Sequence, residues 1–336
     1  MRALLVANPA ATTTTRKVRD VLVRALSSEL QVELAETAHR GHARELAARA
    51  AADGVDVVVT LGGDGTVNEA ANGLLTAGPG PDVPMLAVVP GGSTNVFARA
   101  LGRSRDPVEA TGEILDSLRA GRTRLVSLGT ASARSCTAPA GSPPTGSSPI
   151  GAEGTAGGWS TPRWFVFAAG IGFDADVISR VEAERARGRR STGNLYIGAG
   201  VNAFLLGRDR RRPPLTLDLP GEAPVDGLFL ALVSNVSPWT YLGDRPIDPS
   251  PEASFDTGLD LFAMGRVGVV RMLHHVRQTM AARPDARGRG VHRWHDLGEL
   301  TLTSTRPQGW QLDGDHLGTA TGLRVRSVPE ALRVVM

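Results

Sequence analysis

Cysteine and lysine are almost missing from this chain of 336 residues: Cys136 and Lys17 each stand alone. A single cysteine excludes an intramolecular disulfide, a cysteine-based zinc site and paired-thiol redox chemistry. Because Lys17 is the sole lysine, 36 of the 37 basic residues are arginines. The Walker loop, the Schiff-base cofactors and the protein-kinase fold all need a lysine at the chemistry. Lys17 follows a Thr-rich loop with no G-x-x-x-x-G-K-[ST] around it, so those mechanisms fall away together. Aromatic residues make up only 4% and the net charge is +3. Neither favours nucleic acid, and no aromatic–basic RNA-binding signature is present. No apolar run reaches the roughly 18 residues of a transmembrane span. The opening run, Ala3–Ala7, is too short for a signal-peptide core and reads as a first strand, so a cytoplasmic protein is expected.

What is present is an ordinary globular balance, 41% hydrophobic and 21% charged, in a chain of about the right length for two domains. Up to about residue 127, apolar runs alternate with helical spacings. Strands are expected at Ala3–Ala7, Val32–Leu34, Val55–Leu61 and Met85–Val89. Helices are expected at Thr14–Ser27, Gly41–Ala52, Val67–Leu75, Thr94–Leu101 and Pro107–Ala120. The uninterrupted run Val55–Leu61 suits a central parallel strand buried on both faces, and repeated strand–helix units imply a parallel α/β sheet. Residues 131–162 are rich in Ser, Thr, Ala, Gly and Pro, which predicts a disordered linker or insertion. Over 163–328, short strand-like runs are separated by turn residues and predict a β-rich, antiparallel sandwich-like second domain. Helices at Ala175–Arg187, Leu195–Leu206 and Val267–Ala282 should interrupt it, and residues 329–336 should return to the first domain.

The richest motif is Leu61-Gly-Gly-Asp-Gly-Thr-Val-Asn-Glu-Ala-Ala-Asn-Gly73, directly after the buried strand. Gly62, Gly63 and Gly65 allow a tight turn and close approach of backbone to a ligand. The helix beginning near Thr66 aims free N–H groups and its positive dipole end at the same spot, a phosphate cradle built without lysine. Asp64, at the apex, is placed to hold a magnesium ion through water. Asn68 and Glu69, on the first helical turn, are candidates to cap the helix or contact nucleotide. A second loop, Pro90-Gly-Gly-Ser-Thr-Asn-Val-Phe-Ala-Arg99, follows the next strand, and Gly92, Ser93, Thr94 and Asn95 bring it to the same sheet edge. The plain alternatives are a strand–turn–helix capped by Asp64 and a helix capped by Ser93.

Together these loops resemble those of the diacylglycerol kinase catalytic-domain family, which includes sphingosine kinases and bacterial lipid kinases. Further motifs follow in the family's order: Asn8-Pro9 after the first strand, Thr37 before the second helix, Gly170-Ile-Gly-Phe-Asp-Ala175, and Asp313-Gly-Asp315 near the end. The resemblance implies an ATP-dependent lipid kinase in which Asn8, Pro9, Thr37, Gly62 through Glu69 and Gly92 through Asn95 form the nucleotide site. It further implies an active site in the cleft between two domains. The last residue of the family's D-G-E is the general base, which points to Asp315, with Asp313 as a neighbour able to share the role. From residues alone, Asp313-Gly314 reads equally as a hairpin turn. This chain departs from the family at three places. Ala10-Ala-Thr-Thr-Thr-Thr15 replaces a glycine-containing loop, and hydroxyls there could stand in for backbone contacts. Asp315 stands where glutamate is usual. Asp256-Thr-Gly-Leu-Asp260 matches the family's Asp-Asp-Gly metal site poorly, leaving Asp256 a weak candidate for a structural magnesium.

ATP and Mg2+ are thus the expected cofactors, and a lipid at the inner face of the membrane the expected acceptor. The apolar segment 195–206 between arginine clusters at 185–190 and 208–212 fits transient contact with anionic lipid, or else a core helix with solvated ends. Two rivals stand beside this reading: a soluble-substrate kinase of the NAD kinase or phosphofructokinase kind, and an inactive lipid-binding regulator.

Overall fold

A computed structural model describes residues 1–12, 14–134, 158–172 and 212–336. The expected helices at 175–187 and 195–206, Cys136, and the arginine clusters up to residue 211 lie outside the described residues. The chain divides into one unit of Met1–Leu128 with Val328–Met336 and a second of Gly129–Ser327.

In the first unit, β1 (Arg2–Ala7), β2 (Gln31–Glu36), β3 (Val57–Gly62) and β4 (Met85–Pro90) lie parallel in the order β2-β1-β3-β4. The C-terminal end of β15 (Asp315–Val335) adds a further parallel strand beside β4, with Val334 opposite Leu86. Every residue of β3 is buried, because helices cover both faces and leave no polar side to alternate. One face, through Leu5, Val57, Val59, Leu61, Ala87 and Val89, packs on Leu22 and Leu26 of α1 (Arg16–Ser27) and Ala110 and Ile114 of α5 (Pro107–Arg119). The opposite face meets α2 (His42–Ala52) and α3 (Asp64–Leu74). These two helices cross closely enough that a Cβ on Gly73 would fall 2.3 Å from Arg44 O. Local signals set the helix starts: Thr15 Oγ1 accepts from Val18 N–H, and Asp106 Oδ1 accepts from Val108 and Glu109 N–H ahead of Pro107.

The second unit is a largely antiparallel sheet. Its strands run in the order β13 (Val291–Leu297), β12 (Leu259–Gly265), β9 (Val225–Ser234), β7 (Ala168–Gly172), β14 (Glu299–Leu312) and the first part of β15. β8 (Leu215–Asp218) joins β9 and β14, β6 (Arg163–Phe165) pairs with β5 (Thr123–Arg134), and β10 (Thr240–Leu242) with β11 (Arg245–Ile247) makes a separate hairpin. Phe165, Ile171, Leu215, Leu217, Leu261, Leu302 and Leu323 are fully buried in its core. α6 (Val269–Thr279) is the one helix of this unit among the described residues. The ends of the low-complexity stretch do not follow its composition. Ala131 and Ala133 are buried strand residues of β5, and Arg134 bridges to Trp159. Arg134 and Arg324 lie over the Trp159 ring at 5.4 and 4.6 Å, cation–π contacts that pin this end to the sheet.

Candidate functional site

β3 and β4 stay in register to Gly62 opposite Pro90, so the segments following them leave the same edge side by side. Gly91 N–H donates to Gly62 O at 2.7 Å. Beyond that bond the two loops pack backbone on backbone. A Cβ on Gly92 would fall 2.7 Å from Gly63 Cα, and one on Gly91 2.9 Å from Gly62 Cα. None of these glycines takes a positive φ, so the close approach itself demands them, not a left-handed turn. Gly62 has a further reason: its Cβ would meet Thr66 Oγ1 at 2.5 Å.

No side chain caps the first turn of α3, which starts at Asp64, two residues earlier than expected. That start lies beside loops that touch through the backbones of Gly62, Gly63, Gly91 and Gly92, an arrangement suited to an anion. At the neighbouring strand end, Asn8 Nδ2 donates to Thr66 Oγ1 at 3.2 Å, while Asn8 Oδ1 accepts from Ala10 N–H and shapes the turn through the exposed Pro9. Thr37 follows the adjacent strand and donates its N–H to Ala7 O at 2.9 Å. The Thr-rich loop places Thr14 Oγ1 against Gly91. That hydroxyl oxygen is buried with no hydrogen-bond partner, an expensive condition unless a ligand supplies one.

Asp64 and Glu69 have structural duties that their place in the motif does not announce. Asp64 Oδ1 accepts from Phe97 N–H at 3.2 Å, so it caps α4 (Val96–Ala100) from across the loops. Burial raises its pKa to about 6, against the pull of the Val96, Phe97 and Asn95 amides and the Arg99 charge. Glu69 accepts from Gly41 N–H at 2.8 Å and from Ala43 N–H at 3.2 Å, capping α2. Asn68 is buried and accepts from Asn72 Nδ2. In the second loop Asn95, not Ser93, occupies the cap position, in the left-handed region at φ 50°. Its side chain closes on Gly92, accepting from Gly92 N–H at 2.9 Å and donating to Gly92 O at 2.8 Å. Ser93 is exposed and Thr94 partly so.

In the second unit, Asp313 and Gly314 form a two-residue hairpin loop, at φ 48° and 81°, between Leu312 and Asp315. The Asp313 carboxylate is buried and accepts from Val166 N–H at 2.7 Å and from Phe167 and Ala168 N–H at 2.9 Å each. A carboxylate holding three amides anchors the β6–β7 connection and is committed to that task. Asp315, at the start of β15, is partly exposed. Asp256 is exposed and lies outside the group of metal-ligating side chains that come close among the described residues, namely Glu252, Asp260 and His295. In that trio His295 Nδ1 lies 2.7 Å from Asp260 Oδ1. An imidazole among the donors suits a transition ion better than magnesium, which takes oxygen ligands.

Residues 2–131 match the family model described as the diacylglycerol kinase catalytic domain. A diacylglycerol kinase of Bacillus subtilis (strain 168) is 46% identical over 68 residues, covering 20% of this chain and 22% of that protein. One from Staphylococcus saprophyticus is 34% identical over 101 residues, 30% of this chain and 32% of that protein. The matched stretches thus span less than a third of these relatives' length. A crystal structure of a diacylglycerol kinase from Bacillus anthracis str. Sterne superposes with a TM-score of 0.66 at 18% identity, covering 99% of this chain and 96% of that one. At such identity the likeness establishes the fold.

Proposed function

We propose that this chain, whose residues 2–131 match the diacylglycerol kinase catalytic-domain model, is a member of that family and transfers the γ-phosphoryl group of ATP to the hydroxyl of diacylglycerol or a related lipid. The observation that carries the reading is the pair of loops at the β3 and β4 ends. They touch through glycine backbones, present the uncapped start of α3 and carry the orphaned Thr14 hydroxyl. That is a surface made for phosphate oxygens, and Thr14 supplies a donor where the family's loop has a glycine.

Asp64 is the one carboxylate on the two loops. It is ionised at neutral pH with its pKa near 6, so its charge and oxygen donors fit a magnesium ion carried with the nucleotide. Such an ion would offset charge on the phosphates. The principal role of Asp64 is positioning, because its carboxylate ties one loop to the helix that opens from the other. Asn8, through Thr66, and Asn95, through Gly92, hold the loop backbones in place.

In the transfer the acceptor oxygen bonds to the γ-phosphorus as the bond from that phosphorus to the β–γ bridging oxygen breaks. ADP leaves, and the hydroxyl proton passes to a carboxylate. We assign that carboxylate to Asp315. Asp313 is engaged by three amides, and Asp315, partly exposed on the same hairpin, stands at the last position of the family's D-G-E. The test is label transfer from γ-labelled ATP to diacylglycerol in mixed micelles by wild type, Asp315→Asn and Asp313→Asn. A general base contributes about a hundred- to ten-thousandfold, so Asp315→Asn should lose activity on that scale while remaining folded. Asp313→Asn should lower the melting temperature. An Asp315→Asn protein of near wild-type rate overturns the assignment.

A further inference from the structure

α6 presents the wrong face to solvent for a helix of a globular protein. At 100° per residue, Val270, Leu273 and Arg277 lie along its outer ridge, flanked by His274 and Val276. Val270 is 83% exposed, Leu273 58% and Val276 41%. The inward side is the less apolar one: His275 and Thr279 are buried, with Met272 packed against Phe262 and its neighbours. An amphipathic helix held only by its own unit would carry the apolar stripe inward.

Along the sequence, the segment that carries this ridge is as one-sided in charge as the ridge is in exposure. Between Arg266 and Arg293 the sequence holds seven arginines and a single acid, Asp285, in a chain whose net charge is only +3. Arg287 and Arg293 are paired with Asp285. Arg266, Arg271, Arg277, Arg283 and Arg289 are all exposed and have no acidic partner among the described residues. Valine and leucine side chains standing out of a field of arginines have one complementary partner: a surface negative outside and apolar within.

We propose that α6 docks on an anionic lipid bilayer. Val270, Leu273 and Val276 enter the acyl boundary, and Arg271 and Arg277, with the arginines beside the helix, meet the headgroups. The proposal deepens the lipid-kinase reading by naming the face that meets the substrate's membrane, but its test requires no turnover. The full chain is floated, without nucleotide, with vesicles of phosphatidylcholine alone or with about one-third phosphatidylglycerol. The wild type should bind the anionic vesicles selectively and lose binding as salt rises. Each arginine near such a surface contributes on the order of 1 kcal/mol, so Arg271→Gln with Arg277→Gln should weaken binding by about thirtyfold. Leu273→Ser should weaken it independently of salt. All these positions are exposed, so the variants should keep the wild-type melting temperature. They should also phosphorylate a short-chain, detergent-dispersed lipid at the wild-type rate, which separates a failure of docking from a failure of the kinase reading. Equal vesicle binding by wild type and variants overturns the proposal. So does a wild type that ignores anionic vesicles yet self-associates through this helix, since the ridge would then be covered by a second copy.

Discussion

Asp64 shows how a single residue of the glycine motif serves two masters. Its carboxylate caps α4 across the loops, and burial keeps it protonated to about pH 6 rather than 3.8. The native state therefore holds this proton more tightly than the unfolded chain does. Stability from this group is greatest at low pH and falls as pH rises through about 4 to 6, by at most about 3 kcal/mol. Asp64→Asn keeps an acceptor for the Phe97 amide and removes the titration. Denaturant unfolding at pH 4.5 and 7, without nucleotide or divalent cation, should show the wild type losing more stability than the variant. Identical losses would show that the carboxyl is solvated. Gly92 makes a steric prediction instead. A methyl group there would press on Gly63 Cα at 2.7 Å, where only backbone can yield. Gly92→Ala should separate the loops and weaken ATP binding tenfold or more by calorimetry, and unchanged affinity would mean the loop contact is dispensable.

At the scale of elements, α2 owes its start to α3. Gly41, in the left-handed region, offers no side chain, and Glu69 reaches from the neighbouring helix to take two of the free amides. Glu69→Ala should cost about 1 kcal/mol, the usual value of a lost cap, and Glu69→Gln about half of that or less. A Glu69→Ala protein with normal stability but impaired ATP binding would return Glu69 to the nucleotide. These caps also mark the limit of what the sequence discloses. The Gly62–Asp64 turn and the strands feeding it are legible because the signal lies in consecutive residues. Glu69 and Gly41 are 28 residues apart and Asp64 and Phe97 are 33, and no local pattern links them. β13, Val-His-Arg-Trp-His-Asp-Leu, escapes notice because its residues are only partly buried or exposed and mostly polar. In the sequence, Leu300–Thr303 and Trp310–Leu312 read as two strands because Pro307 and Gly309 look like breaks, whereas both runs lie in β14. The register shifts there, and the irregularity accommodates a proline that a regular ladder would reject. The threonine-rich loop after Ala11 is legible as a departure from the family, whereas the orphaned oxygen of Thr14 shows only once Gly91 is placed beside it.

For the whole molecule, the claim is that an α/β unit with lysine-free phosphate loops and a β-rich unit carrying Asp315 together phosphorylate a lipid. The near absence of lysine fits this division, since backbone amides, hydroxyls and one carboxylate furnish the loops. What separates a lipid kinase from a soluble-substrate kinase with similar loops is where the phosphoryl group goes. The decisive measurement offers both destinations at once: γ-labelled ATP and Mg2+ with the full chain, diacylglycerol in mixed micelles and NAD+ in the same tube. The reaction is then extracted into organic and aqueous phases. The account predicts labelled phospholipid in the organic phase, dependent on protein and lost with Asp315→Asn. Label carried only by NADP+ or inorganic phosphate in the aqueous phase would contradict it.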